Sequence, residues 1–518
     1  MKNIYRIIKT GLILSVAAIS FAACSEDFMD EINKDHSVST NVTAKFIIPD
    51  LELRTAQNIV GGDFNTYFGS YVEYWAGTHN QLFKAENRDA EVRVASTFNN
   101  NWGSIYENIR NGKLVLAKCA DDAEGTDAGD AGARGIGEIL LAYNLAVATD
   151  VFGDTPYTQV GDIVAFPYPE ADSQESIYKE IFNLLDAGIK DVTSGGNTVG
   201  QYDLIYNGNA QRWVELANGL KARYTLRLLN RSGSKDSDYA KILQYIDASF
   251  KSAATQCSML YDGSNQNPMF DFEWSRDGIS SCTSMYGKLM ARNDPRAERA
   301  YWGSGSWAHY SAADVVEDLA PTGEPEECQY VYAYDVFAFS ELAPVHLLSY
   351  HELLFIKAEV LVRLGRTDEA KDVLKQAVEA AFANFEVNVD GALNSPSVNA
   401  YGGIEPLDSD PLTAADADAY FDSEVAPLFD ADPFKETMLQ KYIGLWGANG
   451  ETVETYADIR RLKAEGKDVY GLLNTGKFPL RCPYGQDDVV ANPNIAKIYT
   501  DAGNYVFSEN VWWAGGNR

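Results

Sequence analysis

Three aromatic-rich segments of the 518-residue chain hold the residues best suited to grip a ligand. "YVEYWAGTHNQ" carries Tyr71, Tyr74 and Trp75, then His79, Asn80 and Gln81. "FEWSRDG" carries Trp274 and Arg276, and "YWGSGSWAHY" carries Tyr301, Trp302 and Trp307. A sugar ring presents C–H groups that stack on aromatic faces and hydroxyls that need a few polar partners. Rings interleaved with Asn, Gln, Arg and His in loops suit that chemistry. The competing role for Tyr71, Tyr74 and Trp75 is a packed helix stripe. For the other two sets it is core.

Bond-making chemistry finds less support. His351-Glu352 is followed by Leu-Leu-Phe, so the H-E-x-x-H zinc motif is missing, as are G-x-S-x-G and the phosphate loop G-x-x-x-x-G-K-[ST]. The five histidines, at 36, 79, 309, 346 and 351, are scattered. Acid pairs are so common here that a glycosidase-like pair stays open as a lesser alternative. "DADAYFDSE", Asp416 to Glu424, has the acid spacing of a calcium loop without its turn glycine, and reads as a solvated acidic loop. No metal or cofactor is expected.

A net charge of −31 excludes nucleic acid as a partner, since phosphates demand a basic face. The six cysteines (24, 119, 257, 282, 328 and 482) form no C-x-x-C pair. Buried free thiols are the default, with a single bridge such as Cys257–Cys282 left open. Lys2, Arg6 and Lys9 precede the apolar run Gly11–Ala23, which is too short to span a bilayer and reads as an export signal. Phe21-Ala22-Ala23-Cys24 resembles a bacterial lipobox, so Cys24 is expected to be the lipidated first residue of the mature protein. One acyl chain holds only marginally and two or more hold stably. The polar, acidic segment that follows suits a tether, and its Ser-Glu-Asp resembles a surface-export signal. The expected organisation is signal peptide 1–23, acidic tether 24–40 and a single domain 41–518.

The elements that must position the aromatics are mostly helical. Trp102, Ile105, Tyr106 and Ile109 recur at helical spacing, as do Trp213, Leu216, Leu220, Tyr224 and Leu228. "ARGIGEILLAYNLAVATDVFG" is a more apolar helix with Gly153 at its end. Asp172 or Ser173 caps the helix that follows. "LLSYHELLFIKAEVLVRLGRTDEAKDVLKQAVEAAF" predicts two helices broken at Gly365, with Leu354, Ala358, Leu361 and Leu364 facing Ala370, Val373, Leu374, Ala377, Val378 and Ala381. This pair resembles a tetratricopeptide hairpin, although no regular 34-residue period is present. Long Gly-, Pro- and aromatic-rich inserts separate the helices, as binding loops do.

In order along the chain, "TDVFGDTPY", "YPEADSQESIYKEIFNLL", "WVELANGLKARYTLRL", "NDPRAERAYW", "LLSYHELLFIKAEVLVRLG", "KYIGLWGANGETVETYADIRRL" and "PLRCPYGQDDVVANPN" resemble the SusD/RagB-type nutrient-binding outer-membrane lipoproteins of Bacteroidetes. The resemblance implies a mostly α, SusD-like fold in which tetratricopeptide-like helix pairs carry a loop-rich binding face. It implies a non-catalytic protein that captures oligosaccharide on the cell exterior as the lid of a SusC-like TonB-dependent transporter. A peptide-binding lid of the same architecture is the alternative. The region after the first helix often contributes to the binding face of such proteins, and the aromatic loops could equally touch the transporter. Arg460-Arg461, Asp294-Pro295-Arg296 and Trp512-Trp513 read as scaffold.

Overall fold

The computed structural model describes residues 42–447 and 449–518. The expected signal peptide, Cys24 and the acidic tether lie outside the described residues. Residues Ala44–Arg518 form one compact unit. Its helices follow the periodicity of the sequence: α1 (Asp63–Tyr71), α2 (Asn80–Glu86), α3 (Asn99–Lys118), α4 (Ala131–Phe152), α5 (Gln174–Thr193), α6 (Ala210–Arg227), α7 (Pro268–Arg276), α8 (Tyr350–Arg363), α9 (Thr367–Leu393), α10 (Pro433–Gly444) and α11 (Thr452–Ala464), together with the helices Ala44–Arg54 and Lys235–Asp247 and shorter helical segments. The α3–α4, α4–α5 and α5–α6 neighbours pack together in chain order. Helix α4 is long and apolar enough to cross a membrane, yet it is buried inside the protein. Small residues let its neighbours close on it. A Cβ added at Gly188 of α5 would lie 2.6 Å from Ile139 Cγ1, and one at Gly135 would lie 2.6 Å from the Val192 backbone nitrogen.

The α8–α9 hairpin forms where the sequence places it. Ser349 accepts the Glu352 amide at the start of α8, and Gly365 turns the chain at φ 72°. The amides of Gly365 and Arg366 close the turn onto the carbonyls of Val362 and Leu361. Leu354, Phe355, Ala358 and Leu361 then pack on Ala370, Leu374, Ala377, Val378 and Ala381, with Tyr420, Phe421 and Phe429 closing the cluster. Ser173 caps α5 by accepting the Ser176 amide, and Gly153 ends α4 at φ 81°.

Beneath the hairpin runs a layer of buried ion pairs. Arg461 of α11 grips Glu359 of α8 through both guanidinium nitrogens at 2.7 and 2.8 Å, and Lys441 of α10 meets Asp458 at 2.6 Å. Arg223 of α6 pairs with Glu352 of α8. Arg460 donates to the Asp150 carbonyl at 2.7 Å and lies over the ring of Trp513. Arg296 closes on Asp294 at 2.9 and 2.6 Å. The pairs of Arg461, Lys441 and Arg223 tie α6, α8, α10 and α11 together; removing one partner of such a pair strands a buried charge.

One sequence expectation changes, and one alternative left open is resolved. Asp416–Glu424 is not a loop: Thr413 and Asp416 form a capping box that starts a helix at Ala414, and the chain continues as a wider helical turn over Phe421–Val425. Lys375 pairs with Asp418 and Asp422 along that face. The Cys257–Cys282 bridge does not form; Cys119, Cys257, Cys282, Cys328 and Cys482 are free thiols.

Candidate functional site

Short strands bring the three aromatic segments to one face. Seven are found among the described residues: β1 (Ala76–Gly77), β2 (Cys257–Met259), β3 (Ile279–Ser280), β4 (Tyr301–Trp302), β5 (His309–Tyr310), β6 (Tyr334–Asp335) and β7 (Val345–Leu348). β1 pairs antiparallel with β3, just past the end of α7. The Thr78 amide continues that ladder to the Gly278 carbonyl at 2.9 Å. This pairing sets His79, Asn80 and Gln81 beside Arg276. β4 lies between β5 and β6, so the hairpin carrying Trp307 and the segment carrying Tyr330 flank the same strand.

Helix α7 is the ridge of this face. Asn267 caps it by accepting the Met269 and Phe270 amides, and Pro268 occupies its first position. It ends at Asp277, in the left-handed region at φ 49°. On one side of the ridge is a cavity of about 360 Å³ walled by Trp274, Trp307, Tyr330, Tyr334, Phe339 and Tyr401, with Glu273 and Asp277 at its base. Ring centroids lie 5.9 Å apart for Trp274–Trp307 and 5.6 Å for Trp274–Tyr401. On the other side is a polar cavity of about 440 Å³ that includes His79, Asn80, Gln81, Lys84, Arg276 and Gln329.

Hydrogen bonds lock the two sides to the ridge. Asp277 accepts the Tyr330 amide at 2.9 Å and the Tyr334 hydroxyl at 2.5 Å. Gln329 donates to the Arg276 carbonyl at 3.0 Å, and Ser304 donates to the Tyr330 carbonyl at 2.9 Å. Glu273 accepts the amides of Gly278 and Ile279. Burial, followed by repulsion from Asp277, holds the Glu273 carboxyl well above its usual range, and burial raises that of Asp277. Backbone strain gathers here too. Asn80, Asp277, Trp307 and Tyr330 all have positive φ, between 49° and 58°. Large side chains avoid that region, and residues held in it concentrate at ligand sites.

The aromatic residues singled out in the sequence divide. Trp274 is 39% exposed and Trp307 is half-buried, both at the aromatic cavity. Tyr71, Tyr74 and Trp75 are core residues instead, each 1% exposed. The Tyr74 hydroxyl donates to the Tyr442 carbonyl of α10 at 2.7 Å, and the Trp75 indole N–H donates back to the Thr66 carbonyl of α1 at 3.0 Å. Trp75 fills the space left by Gly69, where a Cβ would lie 2.0 Å from its ring. Tyr301 and Trp302 are buried on a strand paired along both edges, and the Trp302 indole donates to the Glu405 carbonyl at 3.0 Å. These five aromatic residues therefore line neither cavity. Tyr330 and Tyr401, 66% and 75% exposed, were not singled out. The signal for Tyr401 was a tyrosine stranded beside Gly402-Gly403; for Tyr330 it was the Tyr-rich run "YVYAY" in a loop. A separate cleft beside Tyr106, Pro156, Ile163 and Phe166 holds none of the singled-out residues.

A helical frame with one open aromatic face defines a ligand-binding protein. Residues 35–485 match the family model described as starch-binding and associating with the outer membrane, and the chain belongs to this SusD-like family. A SusD/RagB family protein from Bacteroides thetaiotaomicron is 40% identical, with a TM-score of 0.87 over 92% of this chain and 100% of that one. A chitin-binding protein shares the fold at 20% identity and TM-score 0.66, covering 90% of this chain and 99% of its own. A SusD homologue from Bacteroides fragilis does so at 17% identity and TM-score 0.68, covering 92% and 100%. No curated protein sequence matches.

Proposed function

We propose that this protein captures oligosaccharide on the α7 face, without catalysis, and serves as the lid of a SusC-like TonB-dependent transporter. The observation that carries the reading is the convergence of strained Trp307 and Tyr330 on Trp274 and Tyr401. Holding bulky rings in an unfavourable backbone region costs stability, and preorganised contact surface is what that cost supplies to a ligand. The polar side chains of His79, Asn80, Gln81, Arg276 and Gln329 suit sugar hydroxyls along the opposite flank. The family description and the chitin-binding relative support a glycan over a peptide. In this reading residues 1–23 are the signal, lipid on Cys24 anchors the protein to the outer membrane facing outward, residues 24–40 are the tether, and residues 41–518 are the binding domain.

Calorimetry against a panel of oligosaccharides and peptides tests the ligand. Binding to a glycan that Trp274→Ala weakens supports the proposal; peptide binding with no glycan binding overturns it, and glycan turnover by the purified protein overturns its non-catalytic part. Co-purification of a TonB-dependent transporter tests the partner. Loss of membrane association in Cys24→Ala tests the anchor.

A further inference from the structure

The aromatic cavity is built less like a flat stacking surface than like a cage. Its rings are steeply inclined: 44° between Trp274 and Trp307, 60° between Trp274 and Tyr401, and 66° between Trp307 and Phe339. A flat sugar face needs one ring plane. Rings set at these angles enclose a small group from several sides.

The charge at the base points the same way. Glu273 and Asp277 line the cavity, and no Lys, Arg or His among the described residues does. The hydrogen-bond donors that reach these carboxyls are neutral: two backbone amides on Glu273, the Tyr330 amide and Tyr334 hydroxyl on Asp277, and a hydrogen bond between the two carboxyls themselves; His79, in the polar cavity, is the cationic side chain that also acts on Asp277. Burial and mutual repulsion favour one negative charge shared by the two carboxyls over two. Several other buried acids of the chain face arginine, as Glu352 faces Arg223 and Glu436 faces Arg292, and no arginine faces this pair. The cations of the neighbouring polar cavity are countered locally, Lys84 by Glu91 at 4.0 Å and Arg276 by Asp63. Aromatic faces with an unpaired acid behind them attract cations, since the ring quadrupole and the carboxylate act in the same direction. The net charge of −31 draws cations from a distance and repels sulfated or uronic sugars.

We infer that the aromatic cavity takes a cationic group, and that the captured oligosaccharide contains amino sugars with free, protonated amines. This rests on the α7 face being the ligand site.

The test uses the purified lipoprotein in detergent and three β-1,4-linked oligosaccharides of equal length: one of glucosamine with free amines, its N-acetylated form, and one of glucose. Calorimetry at pH 6 should show the free-amine sugar binding at least tenfold more tightly than the other two. Asp277→Asn should bring the affinities of the three sugars together. Asparagine tolerates the left-handed backbone at 277 and still accepts the Tyr334 hydroxyl. Glu273→Gln is the second variant should the first fail to fold, and should narrow the preference in the same way. If the acetylated or neutral sugar binds as tightly as the free amine, and Trp274→Ala still abolishes binding, the cation inference falls and the capture site stands. If no sugar in a wide glycan panel responds to Trp274→Ala, the site itself is wrong. A lysine-rich peptide of similar length that outcompetes the amino sugar would overturn the sugar class.

Discussion

Tyr71–Trp75 and the Trp274–Trp307 pair begin from the same chemistry and end in opposite places. Both are aromatic segments beside polar residues in a chain rich in such rings. Trp75 is 1% exposed, whereas Trp274 is 39% exposed. The difference lies in what covers them. The first segment lies under α10 and α11, with Tyr74 reaching both Tyr442 and Thr455 at 2.7 Å. The second projects from a ridge whose neighbours are loops, and two left-handed residues turn their rings into a cavity. Aromatic composition marks both regions; the covering helix separates them.

The largest effect should come from removing a covered ring. Trp75→Ala should cost about 3–5 kcal/mol of stability, as large-to-small changes in a packed core do, measured by urea denaturation. The fraction that remains folded should bind ligand as the wild type does. Reduced affinity in that folded fraction would place Trp75 in the site after all.

The covered side should also carry the acid sensitivity. Burial lowers the His346 imidazole to about 4, against the opposing hydrogen bond to Asn384. A base whose folded value is depressed contributes its full stability above its unfolded value of about 6.5, and loses that contribution as pH falls from there to the folded value. Relative to His346→Gln, the wild type should therefore lose about 3 kcal/mol between pH 7 and pH 4. A constant difference between the two proteins across that range would refute the assignment.

On the open face, Trp274→Ala should weaken ligand binding by about 2 kcal/mol, roughly thirtyfold, with under about 1 kcal/mol change in stability. An unfolded variant would erase the contrast with Trp75. The smallest effect concerns strain at Tyr330, φ 58°. Tyr330→Gly should be about 1 kcal/mol more stable than Tyr330→Ala, because glycine accepts this backbone, while both lose ligand affinity alike. Equal stability would show that the backbone relaxes once the ring is gone.

Helices were the most legible part of the molecule. The α8–α9 hairpin, the glycine between its helices and the facing leucines and alanines could be read from spacing, because helical periodicity is a local property. Asp416–Glu424 is helical because Thr413 and Asp416 cap it, a signal as local as the acid spacing that suggests a loop. The candidate site was half legible. Trp274, Trp307, Arg276 and His79–Gln81 line its two cavities, while Tyr71, Tyr74, Trp75, Tyr301 and Trp302 are core. Strands of two residues, such as β1 and β3, leave no alternating pattern to detect, and they are what join segments about two hundred residues apart.

Helices, their caps and the family follow from the chain read in order, since each rests on residues near one another or on phrases in sequence along it. Which rings are buried, which reach solvent, and that Glu273 and Asp277 lie beneath an aromatic cage follow from the assembled fold alone. Burial belongs to neighbours in space: a ring's fate depends on whether a distant helix covers it, and nothing in the ring's own segment records that.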